Sequence, residues 1–531
     1  MTDVLIVGAG PTGLVLALWL QRQGIRVRII DKASGPGTSS RALAVHARTL
    51  EYYAMLGLAG EVIDVGRKFD AVNWRAGGRL AARAVVGDIG AGLSPFPFVL
   101  ILPQDEHERL LLGRLEAAGC AVEYRTELMD FQQERAGVAA EIRGPGGEET
   151  VTVRFLAGCD GAHSTVRERL GVAFAGGTYA DLFYVADVAA SGPTVNGELH
   201  VLLRGNAFGA VFPLKQPGHV RVVGLVPKRL RNKPGLRFED CVAGIARSGE
   251  IAVSQVNWFS TYRTHHRVAD RFREGRVFLL GDAGHVHSPA GGQGMNTGIG
   301  DALNLGWKLA GVVKGQVSPV LLDSYEEERI CFARRLVETT DRAFEIAVSR
   351  GLIARLVRLW LLPLLLPALL RMGGVRRRLF WTVSQIGITY RGLEPNTGSA
   401  GDLAAGDRLP WVPGEGLANF LPMKALAWQA HVYGAAEPAL EAFCAERNVL
   451  LYVRAWDKRC ERNGLLKDAL YLVRPDGHIG FASASQDVAG LSRFWESLYA
   501  SGRVQAGSYA SLPRLRPAYN QLNTPRATLG K

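Results

Sequence analysis

Val4-Leu5-Ile6-Val7 is an unbroken apolar run, the pattern of a strand buried on both faces of a sheet. A glycine turn over Gly8–Gly13 follows, and Leu14, Leu18 and Trp19 then recur at helical spacing as far as Gln23. Gly24 ends that helix, and Ile25–Ile30 resumes an apolar strand closed by Asp31. From about residue 70 to 100, and again from about 180 to 270, apolar and polar residues alternate, as in Glu198-Leu199-His200-Val201-Leu202 and Arg221–Leu225. Half-buried antiparallel strands are predicted there. Val277–Leu280 returns to the fully apolar style and runs into a second glycine-rich turn, and a helical region follows from Gly300 to about Ser349. The pattern predicts one discontinuous α/β unit, residues 1–180 with 265–350, interrupted by a β-sheet domain over 70–100 and 180–265.

Further on, Leu359–Leu370 is an uninterrupted apolar stretch of 12 residues containing Pro363 and Pro367. It is shorter than the ~20 residues a bilayer-spanning helix needs. A helix pair buried against the body or a dimer partner is expected over 351–393. The alternative is an interfacial membrane contact helped by Arg355, Arg358 and Arg376–Arg378. Glu394–Gly398 reads as a linker, and strands at Gln429–Tyr433, Val449–Val453 and Ala469–Val473 predict a separate small α/β domain over 394–525. The Arg474-Pro475-Asp476-Gly477 turn before His478–Phe481 is a hairpin signal. No internal repeat is visible.

With 47% apolar and 21% charged residues the composition is that of a globular protein, which excludes a disordered or fibrous chain. The net charge of +12 is spread along the sequence, densest at Arg376–Arg378 and Lys228–Lys233, with no nucleic-acid motif beside it. Solvated faces, or attraction of an anionic cofactor or substrate, are expected, and nucleic acid is not. The six cysteines form no C-x-x-C pair, which argues against a zinc ribbon or a dithiol site and fits reduced cytoplasmic thiols. The opening MTDVLIVGAG has no basic n-region or cleavage site and reads as a core strand.

The chemistry starts at Gly8-Ala9-Gly10-Pro11-Thr12-Gly13, a G-x-G-x-x-G between a strand and a helix, with Asp31 lying 23 residues after Gly8. Gly8 allows the tight turn, Gly10 lets a pyrophosphate approach the backbone, and Gly13 permits close helix–strand packing. The helix N-terminus offers free N–H groups to phosphates, and the Asp31 carboxylate accepts ribose hydroxyls, which disfavours a 2′-phosphate. Pro11, Thr12 and Lys32 complete this candidate contact set. Two further segments select FAD over NAD: Cys159-Asp160-Gly161-Ala162-His163 and Gly281-Asp282-Ala283-Gly284-His285, the second continuing to Pro289 and Gly291–Asn296. A carboxylate at a strand end before a glycine-rich helix start is a second dinucleotide-type cradle, which a longer cofactor needs and an NAD-linked dehydrogenase does not.

GAGPTG, CDGAHSTVR and GDAGHVHSPAGGQGMNTGIGDALNLGWKLA resemble the three signatures of the single-component flavin aromatic hydroxylases, the enzymes similar to para-hydroxybenzoate hydroxylase and phenol hydroxylase. The likeness is strong over about residues 2–345 and extends to Ser39–Leu58 and Leu102–Leu111. It implies a Rossmann-type FAD-binding domain interleaved with an antiparallel substrate sheet, plus a C-terminal thioredoxin-like domain. It also implies that Arg41 meets the FAD pyrophosphate, Gln104 the ribityl or phosphate region, and Asp282 a ribityl hydroxyl. Pro289 is placed beside the flavin ring, and Gly294, Met295 and Asn296 donate to the isoalloxazine. Asp160 supports docking structurally, and Leu128 joins the cofactor contacts.

The implied cycle uses NADPH or NADH as a transient hydride donor, then O2 and a flavin hydroperoxide that attacks an electron-rich ring. His46 is the candidate base that activates a phenol. His265 and His266 are candidate pocket residues, whereas His285 and His287 form an H-x-H given to structural hydrogen bonding, with no metal expected. The Gly434–Pro438 segment has no cysteine where a thioredoxin pair would sit, so packing or dimerisation is the expected role of that domain. The expected partners are a small aromatic substrate, O2 and a second copy of the chain. A polyketide- or quinone-type substrate is one alternative, and a flavin-binding protein with a membrane or partner role is another. No W-x-W-x-I-P segment is present, which argues against a flavin-dependent halogenase.

Overall fold

The computed structural model describes residues 2–38, 42–76, 78–204, 207–246, 251–288, 290–348 and 362–499. Its first sheet runs in the order Arg273–Glu274, Val277–Leu279, Phe155–Gly158, Val4–Val7, Val27–Asp31, Val122–Tyr124. Every neighbouring pair is parallel except the first. Val4–Val7 is central and wholly buried, as a run without polar side chains can be when helices cover both faces. The helix Pro11–Arg22 packs between Gln104–Ala117 and Gly294–Val313.

A second sheet has eight strands, in the order His285–Val286, Ala252–Ala269, Phe174–Ser191, His219–Leu225, Ala207–Pro213, Leu199–Arg204, Ala71–Ala76, Arg79–Val85. Its two long strands outrun the expected limits at 180 and 265, because their far ends continue pairing from Phe174 and Ala269 beside the first sheet. One pair, Leu199–Arg204 with Ala71–Ala76, is parallel where antiparallel pairing was expected. Leu100–Ile101 instead joins a small sheet with Ala44–Val45 and Arg67–Lys68. The helical region expected from Gly300 to Ser349 is two helices, Gly294–Val313 and Asp323–Val348, divided at Gly315 (φ +70°) and the turn Pro319–Leu322. Pro319 has no N–H with which to carry a helix through.

The C-terminal sheet runs Leu403–Ala404, Thr397–Ala400, Ile479–Ser483, Leu470–Val473, Gln429–Tyr433, Leu450–Arg454. Thr397 and Gly398, expected in a linker, are paired with Phe481 and Ala482. Gly477 (φ +82°) turns the hairpin between Leu470–Val473 and Ile479–Ser483. One hydrophobic cluster runs from Val4–Val7 through Tyr53 and Trp307 to Ala430 and Leu470, so the C-terminal unit shares its core with the first unit. The rings of Trp307 and Trp428 meet edge to face at 5.5 Å across that junction.

Of the apolar stretch, Leu359–Leu361 lie outside the described residues, as do Arg355 and Arg358, and Leu362–Arg371 is a helix with Leu365 and Leu369 exposed. Among the described residues no helix is long and apolar enough to cross a membrane.

Burial penalises the charged form of several rings, holding His46, His107 and His478 at about 4 and His431 at about 3. The unfolded chain protonates them near 6.5, so between about pH 6.5 and 4 it binds more protons and stability falls with pH, by about 1.4 kcal/mol per unit for each ring. Unfolding midpoints recorded from pH 7.5 down to 4.5 should therefore decline steadily below 6.5; a flat profile would show these rings to be solvated.

Candidate active site

Gly8 has φ +104°, and a Cβ there would stand 2.4 Å from the Cys159 carbonyl oxygen. A Cβ on Gly13 would stand 2.0 Å from the Gly8 carbonyl oxygen. Gly10 differs: nothing among the described residues comes within 4 Å of where its Cβ would be. The turn is thus crowded where strand and helix cross and open where a ligand would approach. The Asp31 carboxylate accepts from Ala9 N at 2.7 Å and Ala33 N at 2.8 Å, which fixes its orientation while each oxygen keeps a further lone pair. Lys32 is exposed beside it.

The three glycine-rich segments converge on this turn. Thr12 Oγ1 lies 2.8 Å from the Cβ position of Gly281 and 2.4 Å from that of Gly298, so these elements pack with no side chain between them. Asp282 is exposed between buried Gly281 and Ala283 at the end of Val277–Leu279. Arg167 ties two segments together, donating to the carbonyls of Ala283 at 3.0 Å and Ala162 at 2.9 Å. Asp160 Oδ2 accepts from Val166 N at 3.1 Å, capping the helix Thr165–Arg169, while its Oδ1 is buried without a protein partner. That orphaned acceptor beside the glycine turn fits a hydroxyl-bearing ligand.

At the second cradle, Gly291 (φ +75°) and Gly292 (φ +64°) turn the chain into the helix Gly294–Val313. The N–H groups of Gly294, Met295 and Asn296 open the helix without an intrahelical acceptor and form the anion-favouring end of its dipole. The Asn296 side chain is spent inside the protein. Its Oδ1 accepts from His46 N at 2.9 Å and Thr49 Oγ1 at 2.7 Å, and its Nδ2 donates to the carbonyls of Ala44 and Gly292. Only its main chain is left for a ligand. The same holds for Leu128, whose side chain is buried in the sheet pair with Ile142. Gln104 opens the helix Gln104–Ala117 and donates to Glu108 Oε1 at 2.8 Å. Arg41 and Pro289 lie outside the described residues.

His46 precedes the helix Ala47–Leu56 and is 1% exposed. Its Nε2 meets the Gly291 carbonyl at 2.9 Å, so Nε2 carries the proton and donates, and burial lowers the ring to about 4. A ring so reluctant to take a proton is poorly matched to the base role expected of it, and the geometry favours positioning. His265 and His266 pair across the large sheet with Thr178 and Gly177. His265 bonds to Thr178 Oγ1, and His266 packs on the Tyr179 ring at 4.6 Å and near Asp341 of the helix Asp323–Val348. His285 Nε2 is 2.7 Å from Asp301 Oδ2, and His287 Nδ1 bonds to the Ser288 carbonyl. Among the described residues no cluster of His, Cys, Asp or Glu is placed to hold a metal.

Two features escaped the sequence reading. Asp301 accepts from Gly281 N at 2.9 Å, His285 and Arg329 Nε at 2.6 Å, and so fixes the Gly281–His285 loop. Burial would raise its pKa, but Arg329 and His285 beside it bring it below the usual carboxylate range. An acidic residue inside the apolar Gly294–Val313 helix was the available signal. The second is the face of the large sheet toward His46. Tyr184, Ala186, Val220 and Val222 pack with Phe238 and Val242 of the helix Phe238–Ala246. Their alternates Phe183, Val185, Asp187, Arg221 and Val223 therefore face the other way. Arg221, ion-paired to Asp187 at 2.6 Å, donates to the Ala42 carbonyl at 3.3 Å, which sets this face against the His46 segment. Tyr262 stacks on Phe183 at 5.7 Å, and Trp258 lies opposite Asp187.

Residues 1–340 match the family described as FAD binding domain. The chain is 39% identical over 417 residues to 6-methylpretetramide 4-monooxygenase of Streptomyces rimosus, covering 76% of this chain and 72% of the relative. It is 34% identical over 501 residues to a flavin-dependent monooxygenase of Mycobacteroides abscessus, covering 91% and 97%. The solved structure of anhydrotetracycline hydroxylase from Streptomyces rimosus superposes with a TM-score of 0.75 at 30% identity, over 94% of this chain and 99% of that one. The open Gly10 turn, the orphaned Asp160 acceptor and the helix N-terminus at Gly294 fit FAD, and the chain belongs to the FAD binding domain family as an FAD-dependent aromatic monooxygenase.

Proposed function

We propose that the protein hydroxylates a phenolic substrate, most suitably a polycyclic one of polyketide or quinone type, using NADPH or NADH as reductant. The observation that carries this is the convergence of the three glycine-rich segments opposite an aromatic-lined sheet face. Similarity to enzymes named for pretetramide and anhydrotetracycline supports the wider ring system. Bound there, FAD would supply hydride acceptance from NAD(P)H and activation of O2 for transfer of one oxygen atom.

Gly10, Asp31, Lys32 and Asp160 would hold its nucleotide end, and Asp282 with the main chain of Gly294, Met295 and Asn296 its other end. Arg41, Gln104 and Pro289 keep the roles the resemblance implies. Phe183, Val185, Val223, Trp258 and Tyr262 offer apolar surface for the ring beside the Arg221–Asp187 ion pair and help exclude water. His46 and Gln293, both nearly inaccessible, keep the Gly291–Gly292 turn dry and in place.

The first sheet with residues 265–350 is the FAD domain in this reading, and the eight-stranded sheet inserted in it is the substrate domain. Gln429–Tyr433, Pro438–Arg447 and Leu450–Arg454, then the antiparallel hairpin and the helix Val488–Ser497, support a thioredoxin-like C-terminal unit. Its Cys444 and Cys460 are buried, in keeping with a packing role. Exposed Leu80, Val85, Leu365 and Leu369, gathered where the helix Leu362–Arg371 meets the edge strand Arg79–Val85, support a homodimer, and the reduced cysteines a cytoplasmic one.

The test is a panel of phenols and polycyclic aromatics screened for stimulated NADPH oxidation, with mass spectrometry for the gain of one oxygen. The larger ring systems should give the stronger stimulation; stimulation by none of the panel would refute the reading. His46→Ala should cut coupled product formation several-fold, whereas His46→Gln, which keeps an N–H donor, should retain most of it. Loss in both, together with a changed pH profile, would return His46 to the role of base.

A further inference from the structure

A short stretch after the helix Gly373–Val383 reaches back into the candidate site. Gln385 is 4% exposed and has φ +62°, a left-handed conformation that a residue with a side chain keeps only when its surroundings impose it. Its Nε2 donates to Gln293 Oε1 at 2.7 Å and to Thr297 Oγ1 at 3.0 Å. Gln293 Nε2 in turn donates to the Val383 carbonyl at 2.9 Å and the Gly291 carbonyl at 3.3 Å. Two backbone carbonyls on one side and a donor on the other leave the Gln293 amide a single satisfactory orientation. Thr297 Oγ1 donates to the Gln293 carbonyl at 2.9 Å, and the neighbouring Ser384 carbonyl accepts from Arg48 N at 3.1 Å. Gly291, the acceptor shared by His46 and Gln293, belongs to a glycine pair that no side chain of its own restrains.

We infer that Gln385 is a positioning residue for the Gly291–Gly292 turn and for the N-terminus of the helix Gly294–Val313. The segment leading to the C-terminal unit thereby sets the geometry of the donors at the FAD site. The inference rests on the FAD-site reading above only for its redox consequences; the bracing itself is a property of the protein chain. Without the Gln385 donor, Gln293 Oε1 loses its partner, the amide is held only by its Nε2 bonds to Val383 and Gly291, and its long bond to the Gly291 carbonyl loosens. The N–H groups of 294–296 then lose their fixed direction, and with it their fit to negative charge on a reduced cofactor.

The test compares wild type with Gln385→Met, Gln293→Met and the double variant by amide hydrogen exchange over residues 290–297, with and without added FAD. FAD affinity, flavin midpoint potential and the share of NADPH oxidation released as hydrogen peroxide are measured alongside. Both single variants should exchange several-fold faster over 290–297 with the sheets still protected, and the double variant should be no worse than either. With FAD bound, the midpoint potential should fall and the peroxide share rise several-fold. Unchanged exchange and potential in Gln385→Met, or effects of the two variants that add in full, would overturn the inference. Should Gln385→Met fail to fold, Gln385→Asn carries the same test, since asparagine tolerates the left-handed backbone but is one methylene short of Gln293. Wild-type protein that takes up no FAD would instead refute the cofactor reading, and the exchange data would still judge the brace.

Discussion

Arg474→Met should sharply lower soluble yield and unfolding midpoint, although Arg474 lies in the C-terminal unit far along the chain from the glycine-rich signatures. Its side chain is fully buried and bonds to both Glu328 oxygens, at 2.5 and 3.0 Å, and to Asp476 at 2.6 and 3.1 Å. Lys308 Nζ also reaches Glu328 at 2.9 Å. Two buried carboxylates thus face two buried cations. Burial alone would raise Glu328, and Arg474 and Lys308 bring it down to about 2. Removing Arg474 strands a carboxylate in the core at a cost of about 3–5 kcal/mol, against a total stability of about 5–15 kcal/mol. Arg474→Lys should be milder but still damaging, because one ammonium cannot span both carboxylates. The measurement is soluble yield and unfolding midpoint; an unchanged midpoint in Arg474→Met would show that the pair contributes nothing. A second bridge repeats the arrangement: Arg408 binds Glu51 at 2.5 and 2.8 Å, next to Arg48, two positions after the candidate site's His46. A chain cut at residue 393 would leave both glutamates without these arginines.

Gly10→Ala and Gly13→Ala should separate cofactor binding from folding. At Gly10 (φ −72°) alanine meets no steric obstacle within the protein, so the fold and its unfolding midpoint should be retained. The new methyl would stand where a pyrophosphate approaches the backbone, and FAD affinity should drop by about tenfold or more. At Gly13 the methyl would drive into the Gly8 carbonyl at 2.0 Å, backbone against backbone, so stability and FAD should be lost together. Flavin fluorescence titration and thermal unfolding read both. A Gly10→Ala protein with full FAD affinity would remove the glycine turn from the binding site.

The candidate cofactor segments were legible because each is a contiguous local device. A strand, a tight turn and a helix start must follow one another within a few residues, so Gly8–Gly13, Asp31, the Asp160 segment and Gly281–Asn296 carry their geometry in their order. The apolar and alternating runs announced the two sheets for the same reason, although strand ends near 174 and 269 and the break at Pro319 were blurred. Gln385, Arg474 and Arg408 carried no comparable signal. An arginine or glutamine in an unremarkable segment reads as surface, and its meaning depends on a partner that can lie hundreds of residues away, as with Arg474 and Glu328. The environment of His46 was hidden in the same way. Its place beside the site could be read from the chain, but its protonation depends on burial and on the Gly291 carbonyl, which only the packed structure brings together. Local backbone chemistry is thus written in the order of residues, whereas the charge state and bracing of the site depend on solvent exclusion, a property of the assembled fold.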